Sequence, residues 1–151
     1  MKKLVEQILK FGVVGVICFL IDFIITNVLA AVLRSQMGMT TSKAALIGAF
    51  WGFVISVIIN YILSMKYVFT RKENLSRKKE FIIFTILSLF GLLLNELIIK
   101  VSIDVIYENW LWLKNLVGPV LVTAGAKIVA TGIVMVYNFI TRKIFLEEKG
   151  E

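Results

Sequence analysis

The sequence contains no histidine, 1 cysteine and 1 proline in 151 residues. Without histidine, a zinc or haem site has almost no ligands to draw on. The single thiol, Cys18, excludes an intramolecular disulfide. No G-x4-G-K-[ST] loop is present, so ATP does not drive the activity directly. No nucleophile stands beside a base and no carboxylates pair at metal-ligand spacing, which argues against an enzyme and predicts no cofactor. Acidic residues are also sparse, 10 against 17 lysines and arginines.

What is present in quantity is apolar sequence. Hydrophobic residues make up 59% of the chain and the mean hydropathy is +0.90, far from the profile of a soluble domain. The stretch from Phe11 to Leu33, 23 residues interrupted only by Asp22, reaches about 34 Å as a helix, enough to cross a bilayer core of about 30 Å. A cleaved signal peptide has an apolar region of only about 7–15 residues, so this segment reads as a retained anchor. The pattern predicts an all-α integral membrane bundle of four spans, about Val5 to Leu33, Lys43 to Val68, Glu80 to Ile103 and Gly118 to Phe145. They form one membrane domain of two hairpins, about 5–69 and 79–146. The last connection carries Tyr107, Trp110 and Trp112, residues suited to the headgroup level.

Basic residues set the expected orientation. Lys2, Lys3 and Lys10 precede or open the first span, Lys66, Arg71, Lys72, Arg77, Lys78 and Lys79 surround the second connection, and Arg142, Lys143 and Lys149 close the chain. The opposite side has Arg34, Lys43 and Lys114. Positive charge faces the cytoplasm, so both termini are expected inside. Topology and attraction to anionic membrane lipid then account for the pI near 9.6, and nucleic acid need not be invoked.

The two hairpins resemble each other. A shift of 73 residues places Phe11 on Phe84, Gly15 on Ser88 and Asp22 on Asn95, and a shift of 78 places Asn60 on Asn138. Hairpins that both start and end inside would be parallel repeats, with a substrate path between the halves. In the second span Ala44, Gly48, Gly52, Ser56, Asn60 and Ser64 form an i, i+4 ridge of small or polar residues. Val122, Ala126, Ala130, Val134, Asn138 and Arg142 copy it partly in the fourth. Such ridges let another backbone approach closely, as packing seams, as the wall of a groove, or as a surface for a homodimer.

Charge inside a span costs about 2.5–3.5 kcal/mol even on lenient insertion scales. Asp22, Glu96 and Lys127 lie well inside predicted spans, where the lysine could pair with a carboxylate or meet an anionic ligand. Lys100 and Asp104, at i, i+4, read as an interfacial pair. In the fourth span Lys127 and Asn138 are 11 residues apart and share one helix face to within roughly 20°.

Lys-Phe-Gly-Val-Val-Gly at Lys10 to Gly15, Asn60-Tyr61 followed by Tyr67-Val68-Phe69, Ala126-Lys127 and Asn138-Phe139 together resemble the GtrA-like family of small four-helix membrane proteins. The resemblance spans about residues 9 to 146. It implies translocation of a polyprenyl-phosphate-linked sugar from the cytoplasmic to the outer leaflet of the cell membrane, for surface polysaccharide or teichoic acid glycosylation. One membrane glycosyltransferase would supply the lipid-linked sugar and another would consume it. The family pattern carries function onto Asn60, Lys127 and Asn138, with Phe81 or Phe84 beside them. The family commonly has Asn-Arg after Asn-Tyr-x-x, whereas here Ser64-Met65 precedes Lys66.

On this reading Lys66 and Arg142 collect the anionic head, Asn60 and Asn138 bond sugar or phosphate oxygens, and Lys127 offsets the phosphate charge at depth. Asp22 or Glu96 would hold the lysine when the site is empty, with Asn95 occupying the repeat position of Asp22. An anion leaving a cell that is negative inside gains about 2.3 kcal/mol per 100 mV, so facilitated movement is expected. Two other classes compete: a proton-coupled exporter of small cations using Asp22, and a non-transporting subunit of a membrane glycosyltransferase.

Overall fold

The computed structural model describes residues 2–107, 109–110 and 118–148. Trp112, Lys114 and Lys149 lie outside the described residues. The chain is all-α: helix α1 covers Lys2–Met37, α2 Thr41–Tyr67, α3 Arg77–Lys100 and α4 Pro119–Leu146. Four helices are long and apolar enough to cross a membrane. Two compact units divide the chain, one running to Leu75 and including Glu148, the other from Ser76 to Glu147.

In the first unit α1 and α2 form an antiparallel hairpin. Gly38, at φ 61°, takes the left-handed conformation that a side chain resists, and the Met39 amide returns to the Leu33 carbonyl at 3.3 Å. The chain therefore reverses within three residues, 38–40. Phe11, Val14 and Cys18 of α1 are buried against an α2 face made of Ala44, Gly48, Gly52, Val57 and Ser64. At the open end of the hairpin the segment after α2 folds back onto α1. Gln7 Nε2 donates to the Val68 carbonyl at 2.9 Å, and the rings of Phe11 and Phe69 lie 5.9 Å apart.

In the second unit α3 packs on α4. Ser76 caps α3, its hydroxyl accepting the Lys79 amide at 3.5 Å. Pro119 opens α4 at a position where no amide hydrogen is needed. The seam is made by Glu80, Phe84, Leu87, Ser88 and Gly91 on α3 and Ala126, Ala130, Phe139, Arg142 and Leu146 on α4.

Both small-residue ridges are thus spent on the partner helix of their own hairpin. A built Cβ at Gly48 would stand 2.5 Å from the Thr26 carbonyl oxygen, and one at Gly91 2.9 Å from Asn138 Oδ1. The ridges serve here as packing seams, one of the uses that their spacing allows. The Lys100–Asp104 pair fails to form: both side chains are exposed, and no ion pair joins them. An exposed pair gains only about 0–1 kcal/mol, and spacing at i, i+4 does not force one to form. Beyond Lys100 the chain continues as a π-helix, Val101–Tyr107.

Candidate functional site

Hairpin two gathers polar groups at the end of its seam where α3 begins and α4 finishes. Arg142 is 2% exposed; its guanidinium lies 3.8 Å from the Phe84 ring centroid and donates to Ser88 Oγ at 3.0 Å. Phe84 is fully buried, and its carbonyl accepts the Ser88 hydroxyl at 2.9 Å. Helical spacing explains the assembly. Glu80, Phe84 and Ser88 follow at i, i+4 on α3, so one side of that helix offers a carboxylate, a ring and a hydroxyl in successive turns. Glu80 is 1% exposed, so hairpin two buries both a carboxylate and a guanidinium. A desolvated cation over an aromatic face gains about 2 kcal/mol, and a buried charge stripped of its partner costs about 3–5 kcal/mol.

One turn before Arg142 stands Asn138, half-buried, its amide pressed against Gly91. Asn138 Oδ1 is buried with no hydrogen-bond partner among the described residues. Lys127, three turns nearer the start of α4, is exposed, with apolar Ile128 and Val129 beside it exposed as well. Glu96 on α3 is exposed too, and Asn95 is half-buried. The expected pairing of Lys127 with Glu96 is not formed, and among the described residues Lys127 has no ion pair.

In hairpin one Asn60 is half-buried and accepts the Ser64 hydroxyl at 2.9 Å. Lys66 is exposed near the end of α2, its Nζ 5.0 Å from the Tyr67 ring centroid. Asp22 sits a little past the middle of α1, half-buried against α2, where Gly52 leaves the necessary space. A Cβ at Gly52 would meet Thr26 Oγ1 and stand 2.6 Å from Asp22 Oδ1. That carboxylate oxygen is buried and has no hydrogen-bond partner among the described residues. The neighbouring Thr26 hydroxyl donates instead to the Gly48 carbonyl at 3.3 Å.

Within hairpin two, Phe84 and Arg142 of the residues singled out from sequence meet in one cluster, with Asn138 one turn away. Glu80, Ser88 and Gly91 complete that cluster and were not singled out as site residues. Their signal was available: Ser88 aligns with Gly15 in the repeat, and Glu80 and Ser88 flank Phe84 at four-residue intervals.

Residues 10–146 match the family described as GtrA/DPMS, transmembrane domain. The chain belongs to this family. No curated protein and no solved structure matches it. Membership in the GtrA/DPMS family suggests a role in sugar translocation linked to glycosylation, and it agrees with the resemblance carried by the Asn60-Tyr61, Ala126-Lys127 and Asn138-Phe139 motifs.

Proposed function

We propose that this protein moves a polyprenyl-phosphate-linked sugar from the cytoplasmic to the outer leaflet of the plasma membrane, with both termini in the cytoplasm. Membrane glycosyltransferases would load the lipid on one side and use it on the other, building surface polysaccharide or glycosylated teichoic acid. The step is translocation, with no covalent chemistry.

The observation that carries this reading is Lys127, an exposed cation inside an apolar helix, without an ion pair among the described residues. A lysine within a span costs up to about 2.5–3.5 kcal/mol, the value at the centre, unless something neutralises it. A phosphate that visits membrane depth does so, and in return the lysine replaces part of the hydration the phosphate leaves behind. Lys66, exposed near the end of α2, is placed to meet an anionic head first. Arg142 takes a different part from the one its sequence position suggests. Being 2% exposed and engaged by Ser88 and Phe84, it fastens the end of the hairpin-two seam one turn from Asn138 and leaves the first contact with the lipid head to Lys66.

The test uses purified protein in vesicles with a labelled polyprenyl-phosphate sugar. Lys127→Ala is expected to abolish outward movement while the protein stays inserted and folded. Unchanged transport by this variant would remove the lysine from the mechanism. Failure of the wild-type protein to move lipid by itself would favour the accessory-subunit reading.

A further inference from the structure

We propose that Asp22 is a proton-binding site within the seam of hairpin one: it carries a proton while α1 and α2 are closed, and release of that proton opens the seam at Gly48 and Gly52. The inference stands on the geometry of one hairpin and goes beyond the translocation reading.

Asp22 Oδ1 is wrapped by the seam and receives no hydrogen bond among the described residues. An ionised carboxylate calls for a cation or several donors, and among the described residues of hairpin one no cation is within reach, the nearest hydroxyls being those of Thr26 on α1 and of Ser56 one turn from Gly52 on α2. On α1, Lys10 and Arg34 are each 12 residues away, about 18 Å along the helix. Lys10 is moreover engaged by Glu6 at 2.6 Å. On α2, Lys43 and Lys66 stand 9 and 14 residues from Gly52, about 14 and 21 Å along the axis. The groups nearest Asp22 in sequence register are Cys18 and Thr26 on its own helix and Gly52, with Ser56 one turn further, on α2. Thr26 spends its hydrogen on the Gly48 carbonyl. A neutral acid tolerates such a setting, because a carbonyl oxygen left without a donor is a far smaller loss than an unpaired charge.

Gly52 makes the arrangement a switch. Its bare Cα lets Asp22 and Thr26 approach so closely that a methyl group there would collide with both. Once the proton leaves, the negative charge faces glycine with no donor, and separation of the helices to admit water becomes the lower-energy answer. Hairpin two lacks the device, with Asn95 at the repeat position of Asp22 and Ala130 at that of Gly52.

The chain supplies its own reporter. Cys18, its single cysteine, is buried in the same seam one turn from Asp22. The experiment reconstitutes the full chain in vesicles of zwitterionic lipid and follows Cys18 labelling by a membrane-permeant maleimide from about pH 5 to about pH 9. The wild-type rate is divided by that of Asp22→Asn at each pH, which cancels ionisation of the thiol itself. The ratio is expected to start near one and to climb with the ionised fraction of Asp22, by up to about tenfold per pH unit below the midpoint of its titration, and to level above it, because opening follows that fraction. Gly52→Ala should label rapidly at every pH. A second readout does not depend on any variant folding. The chain has two aspartates, Asp22 and Asp104, so aspartate-specific carbonyl isotope labelling leaves two carboxyl groups in the infrared spectrum. One should be protonated at neutral pH. A flat labelling ratio, or two ionised aspartates at neutral pH, overturns the proposal. Neither readout requires that lipid be moved, so a failure of the transport reading leaves this result standing.

Discussion

The two hairpins share a plan and place their charge at opposite ends of it. The positions that hold Gln7, Gly15 and Ser64 in hairpin one hold Glu80, Ser88 and Arg142 in hairpin two. All but Gly15 are buried, so the repeat has exchanged a neutral seam end for a charged one. At mid-seam the exchange runs the other way, with Asp22 and Gly52 in hairpin one against Asn95 and Ala130 in hairpin two. The aromatic contact is kept with its partner changed: Phe11 meets the Phe69 ring, whereas Phe84 meets the Arg142 guanidinium. Hairpin two is thus fastened by charge where its seam ends, and hairpin one is fastened there by neutral hydrogen bonds and stacked rings. The hairpin with the polar anchor has the neutral middle, and the one with the neutral anchor carries the titratable middle.

The largest effect that would break this comparison is expected at Arg142. Arg142→Ala removes the guanidinium that lies on the Phe84 ring and donates to Ser88 Oγ, a loss of about 3–5 kcal/mol for a desolvated cation–ring contact together with a charged hydrogen bond. Unfolding in mixed micelles measures it. Adding Glu80→Gln to the same chain should recover part of the loss, since a neutral seam end is what hairpin one already tolerates. Strict additivity of the two changes would mean that the charges do not work as a unit.

Next in size is Gly52→Ala. The added methyl group collides with Thr26 and Asp22, and overpacking of this kind costs about 1–3 kcal/mol. The reciprocal change in hairpin two, Ala130→Gly, meets no such wall and should cost about 1 kcal/mol, the helix propensity difference together with a small void. Equal losses at the two positions would show that the glycine seat is not specific to the aspartate.

How much of this was legible beforehand differs by level. The four spans were readable because apolar runs of bilayer length leave few alternatives, and the ends found for the helices lie within a few residues of those expected. The ridges were readable as well, from the four-residue spacing of small side chains. Which helix each ridge faces was not. Periodicity identifies a face and carries no information about the neighbour that covers it. Arg142 misled for a related reason: a basic residue in the last turns of a span reads as a side chain reaching for the headgroups, and only the ring of Phe84 and the hydroxyl of Ser88, 58 and 54 residues away in sequence, show why it turns inward. Lys100 and Asp104 were misjudged because spacing permits a pair and does not supply the burial that would hold two exposed side chains together.

The smallest effect sharpens the comparison most. Ser64 occupies the repeat position of Arg142 and is equally hidden, yet its hydroxyl serves one neutral bond, to Asn60 Oδ1 at 2.9 Å. Ser64→Ala should therefore cost about 0.5–1.5 kcal/mol, the net worth of an ordinary hydrogen bond. Asn60 keeps access to other partners because it is only half-buried, so the lower end of that range is the better expectation. Were Ser64→Ala to destabilise the fold as much as Arg142→Ala does, the position itself would be critical in both hairpins and the exchange of charge between them would explain nothing. A small loss at Ser64 beside a large one at Arg142 assigns the difference to the guanidinium and its surroundings.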